Sequence, residues 1–130
     1  MKRIVLVDDM EIFNFIMVTS IKNVDPAFAV HDFTDPVMAF TALEELDPHV
    51  IFLDLNMPEM DGWAFLDRMQ QKNLKHKVYI LTSSTSELDR QRSSAYTNVA
   101  RFLVKPVEED LLEEILHENE DASGNSFQHI

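Results

Sequence analysis

Five short apolar runs recur along the chain with a helical pattern after each, and this alternation restricts the fold more than any other feature. The runs are "RIVLV" (3–7), "FAVHDF" (28–33), "VIFLD" (50–54), "VYILT" (78–82) and "ARFLV" (100–104). All are rich in branched or aromatic residues. Most are continuously apolar, as strands covered on both faces must be. "FAVHDF" alternates better, which predicts a strand at a sheet edge.

The intervening segments carry helical spacing. In "MEIFNFIMVTSIKNV" the apolar set is Ile12, Phe13, Ile16, Met17, Ile21 and Val24, closed by Asp25-Pro26. "DPVMAFTALEEL" opens with Asp35 at the N-cap and Pro36 at the first helical position. "WAFLDRMQQ" follows Gly62. "SELDRQRSSAYTN" is weakly apolar, with Leu88, Ala95 and Tyr96 as its expected anchors. "VEEDLLEEILHE" aligns Val107, Leu111, Leu112, Ile115 and Leu116 in one stripe, with acids in the first turn where the helix dipole favours them.

Strict βα alternation implies a parallel sheet with helices on both faces. Right-handed crossovers leave only a few doubly wound topologies. The chain's 130 residues, 45% of them hydrophobic, suit one domain with one core. Residues 1–117 form that domain, and the polar, Gly/Ser-containing 118–130 are expected to fray as a tail.

Composition removes several function classes. Without cysteine there is no disulfide, thiolate metal site or Cys nucleophile. The formal net charge of −12 argues against sequence-independent binding to nucleic acid or anionic lipid. No Lys or Arg occurs between residues 23 and 67, whereas ten acids do; a solvated acidic surface accounts for most of them. The N-terminal apolar run is too short for a signal peptide, and no stretch approaches the length of a membrane span. A cytoplasmic protein with no membrane contact is expected.

In an open parallel sheet, ligands bind beyond the carboxyl ends of the strands. Strand one ends in Asp8-Asp9, strand three in Asp54, strand four in Thr82-Ser83 and strand five in Val104-Lys105-Pro106. Four strands thus deliver polar or charged groups to one rim. Three carboxylates there repel one another unless a cation intervenes, and Mg²⁺, which takes oxygen ligands, is the natural one. A lysine and a hydroxyl alongside suit an anionic guest such as a phosphoryl group.

The quartet "VLVDD", "DLNMPEMDG", "LTSS" and "FLVKP" at consecutive strand ends resembles the receiver domain of two-component response regulators over about residues 1–117. The resemblance implies a flavodoxin-like α/β fold: a doubly wound five-stranded parallel sheet in the order 2-1-3-4-5. It implies that Asp54 accepts a phosphoryl group from a histidine kinase or a histidine phosphotransfer protein. Asp8, Asp9, Asp54 and the backbone carbonyl of Asn56 would then hold Mg²⁺ (or Mn²⁺). Lys105 would pair with a phosphoryl oxygen. Thr82 would hydrogen-bond to the attached group, with Ser83 as the competing hydroxyl. Phe102 would be the aromatic that turns inward on activation, and the Lys105-Pro106 bond would be cis. One departure is plain: the family's Gly-Ala ahead of strand five is replaced by "TNVAR".

Several of these residues also have plainer roles. Asp8 and Asp9 could cap the first helix, and Asp61 is read as a turn or cap residue. Met57, Met60 and Trp63 are read as packing. The five histidines show no ligand spacing and receive no role. The first helix carries more large apolar groups than one buried face holds. Phe13 and Phe15 are therefore either excess core or a docking patch for a helical phosphotransfer partner.

Two functions compete at this point. One is a single-domain, phosphorylation-controlled switch, not an enzyme, that acts on a protein partner or relays phosphate. Its output face would be the "RQRSS" helix with strand five and the last helix. The other is a Mg²⁺-dependent phosphohydrolase with an aspartyl nucleophile. Such enzymes need a second carboxylate two residues on, where this chain has Asn56.

Overall fold

The structure, a computed structural model, describes residues 2–84 and 86–128, with side chains as far as Asn119. Strands β1 (Arg3–Val7), β2 (Ala29–Phe33), β3 (Val50–Asp54), β4 (Lys77–Thr82) and β5 (Val99–Val104) alternate with helices. The helices are α1 (Glu11–Val24), α2 (Pro36–Leu46), α3 (Gly62–Gln71), α4 (Glu87–Ser93) and α5 (Glu109–Gln128). The strands form one parallel sheet in the order β2-β1-β3-β4-β5, which places β2 at an edge as its alternation predicted. Among the described residues, no helix is long and apolar enough to cross a membrane.

Burial on both faces explains the continuous apolar runs. In β1, Ile4 and Leu6 pack with Met17 and Ile21 of α1 and with Leu112, Ile115 and Leu116 of α5. Val5 and Val7 face the other way, toward Ala39 and Leu43 of α2 and Phe65, Leu66 and Met69 of α3. β3, the central strand, is buried along its whole length. Its last residue is therefore carried to the rim of the sheet by four apolar neighbours that lock its register.

Helix starts follow local rules. The Asp35 side chain accepts from the Val37 N–H at 2.9 Å, and Pro36 follows it. Asp61 likewise accepts from the Ala64 N–H at 2.9 Å and opens α3, its plainer role. The N-cap of α1 is Met10, which offers no side-chain acceptor; neither Asp8 nor Asp9 occupies that position.

Three expectations are corrected. Ile12 and Ile16, placed in the apolar set of α1, are 67% and 57% exposed. The buried face runs through Asn14, Met17 and Ile21, because α1 is apolar on more than one side and only the sheet decides which side is covered. Leu88 (77% exposed) and Ala95 do not anchor α4; Ser93 and Tyr96 are the buried residues there. Two arginines of α4 also lie over aromatic rings. The Arg92 guanidinium lies 4.4 Å from the Trp63 ring centroid and that of Arg90 lies 4.9 Å from Phe102. The last helix is also longer than expected, since α5 runs to Gln128.

Two residues assigned to the tail make defined contacts. Tyr79, fully buried on β4, donates its hydroxyl hydrogen bond to Glu118, and Asn119 donates to the Tyr79 oxygen at 3.0 Å. Arg101 pairs with Glu118 and Glu114, each at 2.8 Å. Burial and the Glu118 hydrogen bond push the Tyr79 hydroxyl well above its ordinary pKa. Burial works against the Glu118 charge. Hydrogen bonds from Tyr79 and Arg101 outweigh it and hold that carboxyl below its ordinary value. The expected fraying of residues 120–130 bears on side chains outside those described.

The "TNVAR" segment contains an irregularity. Val78 pairs with Val99 but Tyr79 pairs with Arg101, so Ala100 is an extra residue in β5. The bulge resets the side-chain alternation. Val99 and Phe102 both pack on the α2–α3 side, while Leu103 joins the α1–α5 core.

Candidate functional site

The carboxyl ends of β1, β3, β4 and β5 meet at one rim. Asp8, Asp9 and Asp54 each bring a carboxylate oxygen there, all within 4.8 Å of one another. Asp8 is fully buried, Asp54 is 1% exposed, and Asp9 faces solvent. Lys105 reaches across from the end of β5. Its Nζ lies 2.6 Å from Asp8 Oδ2 and 3.3 Å from Asp54 Oδ1.

Backbone register creates this convergence. Asp54 pairs with Leu81, and the next N–H, of Leu55, donates to the Leu81 carbonyl at 3.1 Å. Thr82 pairs with Val104, and the Lys105 N–H donates to the Thr82 carbonyl at 2.7 Å. The chain then turns through the Lys105–Pro106 peptide bond, which is cis as the resemblance implied. On the β3 side the turn is closed by Gly62, whose N–H donates to the Leu55 carbonyl at 3.0 Å. A Cβ on Gly62 would lie 2.7 Å from the Asp54 carbonyl oxygen and 2.8 Å from the Leu55 Cα. Only glycine allows the start of α3 to come that close to the aspartate's backbone.

Electrostatics at the rim oppose ionisation of Asp54. Its pKa is raised on balance from 3.8 to about 6, first by burial and then by the neighbouring Asp8 charge. The Lys105 ammonium and the Asn56 N–H, 3.3 Å from Asp54 Oδ1, pull it back only in part. The single ammonium therefore undercompensates the carboxylates. A hard, oxygen-seeking divalent cation fits this donor set: three clustered carboxylates with an unbalanced negative charge.

The other expected residues are distributed unevenly. Thr82 is fully buried at the end of β4, and its Oγ1 accepts from the Ser84 N–H at 3.0 Å. Ser83 is exposed. Asn56 sits in the loop after Asp54 with an exposed side chain and joins the site through its backbone N–H. Phe102, opposite Ile80 on β5, is half-buried beneath Arg90. Met57, Met60 and Trp63 are buried packing residues.

Two contacts at the site were not foreseen from the sequence, that of Phe13 (read there as excess core or docking patch) with Lys105 and that of Asn14 with Asp8. Phe13 is not free surface: the Lys105 Nζ lies 4.6 Å from its ring centroid. Asn14 is buried beside Asp8. Helical spacing offered no signal for either contact, since both partners come from other strands.

The structure is thus an open, parallel, doubly wound sheet with an acidic rim and a lysine beside it. The sequence model of the family described as response regulator receiver domain matches residues 4–117, and the chain belongs to that family. It is 32% identical over 107 residues to a protein-glutamate methylesterase/protein-glutamine glutaminase 1 of Xanthomonas campestris, a match covering 80% of this chain and 29% of that protein. It is 35% identical over 75 residues to the nitrate/nitrite response regulator NarL of Escherichia coli, covering 58% of this chain and 34% of NarL. The chain thus spans about a third or less of these relatives. Among solved structures, chemotaxis protein CheY4 of Vibrio cholerae is 26% identical with a TM-score of 0.79, covering 91% of this chain and 98% of that one. A two-component response regulator from Cytophaga hutchinsonii is also 26% identical, with a TM-score of 0.82 over 92% and 97% of the two chains.

Proposed function

We propose that this chain is a phosphoryl-accepting switch, with Asp54 taking the phosphoryl group from the phosphohistidine of a histidine kinase or a phosphotransfer protein. The observation that carries this reading is the meeting of Asp8, Asp9, Asp54 and Lys105 at one rim. Asp8, Asp9, Asp54 and the Asn56 carbonyl are the residues that would hold Mg²⁺ or Mn²⁺. When bound, the ion supplies charge neutralisation for the carboxylates and for the phosphoryl oxygens.

The chain's own residues do the rest. Asp54 attacks phosphorus with a carboxylate oxygen, an oxygen–phosphorus bond forms, and the bond from phosphorus to the donor's imidazole nitrogen breaks. The nitrogen keeps the electron pair. A group with a pKa of about 6 is mostly ionised at neutral pH and so able to attack. Lys105 neutralises a phosphoryl oxygen, and Thr82 donates its hydroxyl to another; its position at the strand end favours it over exposed Ser83. Rotation of Thr82 toward the new group frees space for Phe102, and α4, β5 and α5 together form the face that changes. Output is contact with a protein or onward transfer of phosphate, in the cytoplasm.

The donor's docking site is the outer surface of α1. Ile12, Phe15 and Ile16 of α1, with Met10 at its N-cap, are each more than half exposed, and Met10 directly follows Asp9. A helical phosphotransfer partner offers the complementary apolar face. The hydrolase alternative gains no support, because the position two residues past Asp54 is an amide with an exposed side chain.

Incubation with acetyl phosphate and Mg²⁺ tests the proposal. One phosphoryl group per chain is expected, labile to hydroxylamine and abolished by Asp54→Ala. Steady release of many phosphates per chain, or labelling that survives Asp54→Ala, would overturn it.

A further inference from the structure

Asn14 lies one turn into α1 and is completely buried, at a position where the sheet otherwise meets Met17 and Ile21. Its Nδ2 donates to the Asp8 carbonyl at 2.9 Å and to the Phe33 carbonyl at 3.3 Å. The Phe33 carbonyl also accepts the Asp8 N–H at 3.1 Å. One side chain on α1 therefore bridges the backbone at the ends of two strands, β1 and β2. Its Oδ1, meanwhile, is buried without a hydrogen-bond partner.

The unpartnered Oδ1 is a cost that the buried amide carries, while its Nδ2 is the partner of the Asp8 carbonyl. What the amide secures is the turn that carries the first two carboxylates. Asp8 leaves β1 with its carbonyl held by Asn14, its Oδ1 accepting the Met10 N–H at 2.9 Å and its Oδ2 accepting from Lys105. Asp9 hangs from the same turn, in solvent, with no strand hydrogen bond of its own to fix its direction. We infer that Asn14 is a positioning residue for the cation site: by clamping the Asp8 backbone to the edge strand, it aims Asp8 and Asp9 at Asp54. Held in this way, the carboxylates converge without rearrangement when the ion arrives.

The inference rests on the proposed Mg²⁺ site, and calorimetric titration of the cation-free protein with MgCl₂ tests both separately. Asn14→Leu should weaken Mg²⁺ binding by roughly tenfold, the scale seen when outer supports of metal ligands are removed. Its urea midpoint should fall by no more than that of the Leu43→Ala control, since the Asp8 carbonyl loses one partner. Leu43→Ala, a core truncation on α2 on the other side of the sheet, should lower the midpoint and leave the Mg²⁺ affinity within twofold. Should Asn14→Leu fail to fold, Asn14→Ser is held to the same criteria. Affinity within twofold of wild type, or an equal loss in Leu43→Ala, overturns the role of Asn14. Absence of Mg²⁺ binding by the wild-type protein would instead remove the cation site itself.

Discussion

Replacing Asp54 by Asn should make the cation-free protein more stable. Folding places the Asp54 carboxylate beside Asp8 in a buried rim, and its pKa rises from 3.8 to about 6. The folded state therefore holds a proton more tightly than the unfolded chain does. The associated stability is fully present below pH 3.8 and is lost as pH rises through about 6. At about 1.4 kcal/mol per unit, the ionised form costs the folded protein about 3 kcal/mol at neutral pH. Lys105 already contributes to that figure, so no further credit for the ion pair is due. The amide in the variant would keep the shape and an acceptor for the Asn56 N–H but carry no charge. Urea unfolding in EDTA at pH 7.5 should show a gain of about 2–3 kcal/mol for Asp54→Asn at unchanged slope. The gain should vanish near pH 4. Saturating Mg²⁺ should raise the wild type by about 2.7 kcal/mol at a hundred times its Kd and close most of the gap. A variant no more stable than wild type at pH 7.5, or a gap that widens toward pH 4, would refute the account of a strained carboxylate cluster.

Gly62→Ala should destabilise the protein by about 1–3 kcal/mol, because the new Cβ meets backbone atoms of Asp54 and Leu55 that cannot yield cheaply; a urea midpoint equal to wild type would contradict the close approach. Tyr79→Phe should keep the stacking on Phe52 but lose the link to Glu118 and Asn119, lowering stability by about 1 kcal/mol in the same assay. Phe13→Leu should release Lys105 from its ring and slow phosphorylation by acetyl phosphate about two- to fivefold, equivalent to about 0.5–1 kcal/mol, read from single-turnover rates.

The sequence was most informative where function follows from strand geometry. A parallel sheet delivers its strand ends to one rim, so an apolar run ending in Asp54, another in Asp8-Asp9 and a third in Lys105 already imply a shared site. Caps were legible for the same reason: Asp35-Pro36 and Asp61-Gly62 act within four residues of themselves. By contrast, α1 is apolar on too many sides for its pattern to show which side is buried. Ile12 was placed inside and lies outside, while Asn14 was passed over and is buried.

Local chemistry thus determined the elements, their order and the residues at their ends, since hydrogen bonds and periodicity over a few residues suffice for those. Tertiary structure alone decided which groups meet across long separations in the chain. The Ala100 bulge that turns Phe102, the Lys105 ammonium on the Phe13 ring, the Tyr79–Glu118–Arg101 network and the Asn14 clamp all join residues from different elements. Their partners are chosen by register and by packing distance in the folded sheet, neither of which is encoded by neighbours in sequence.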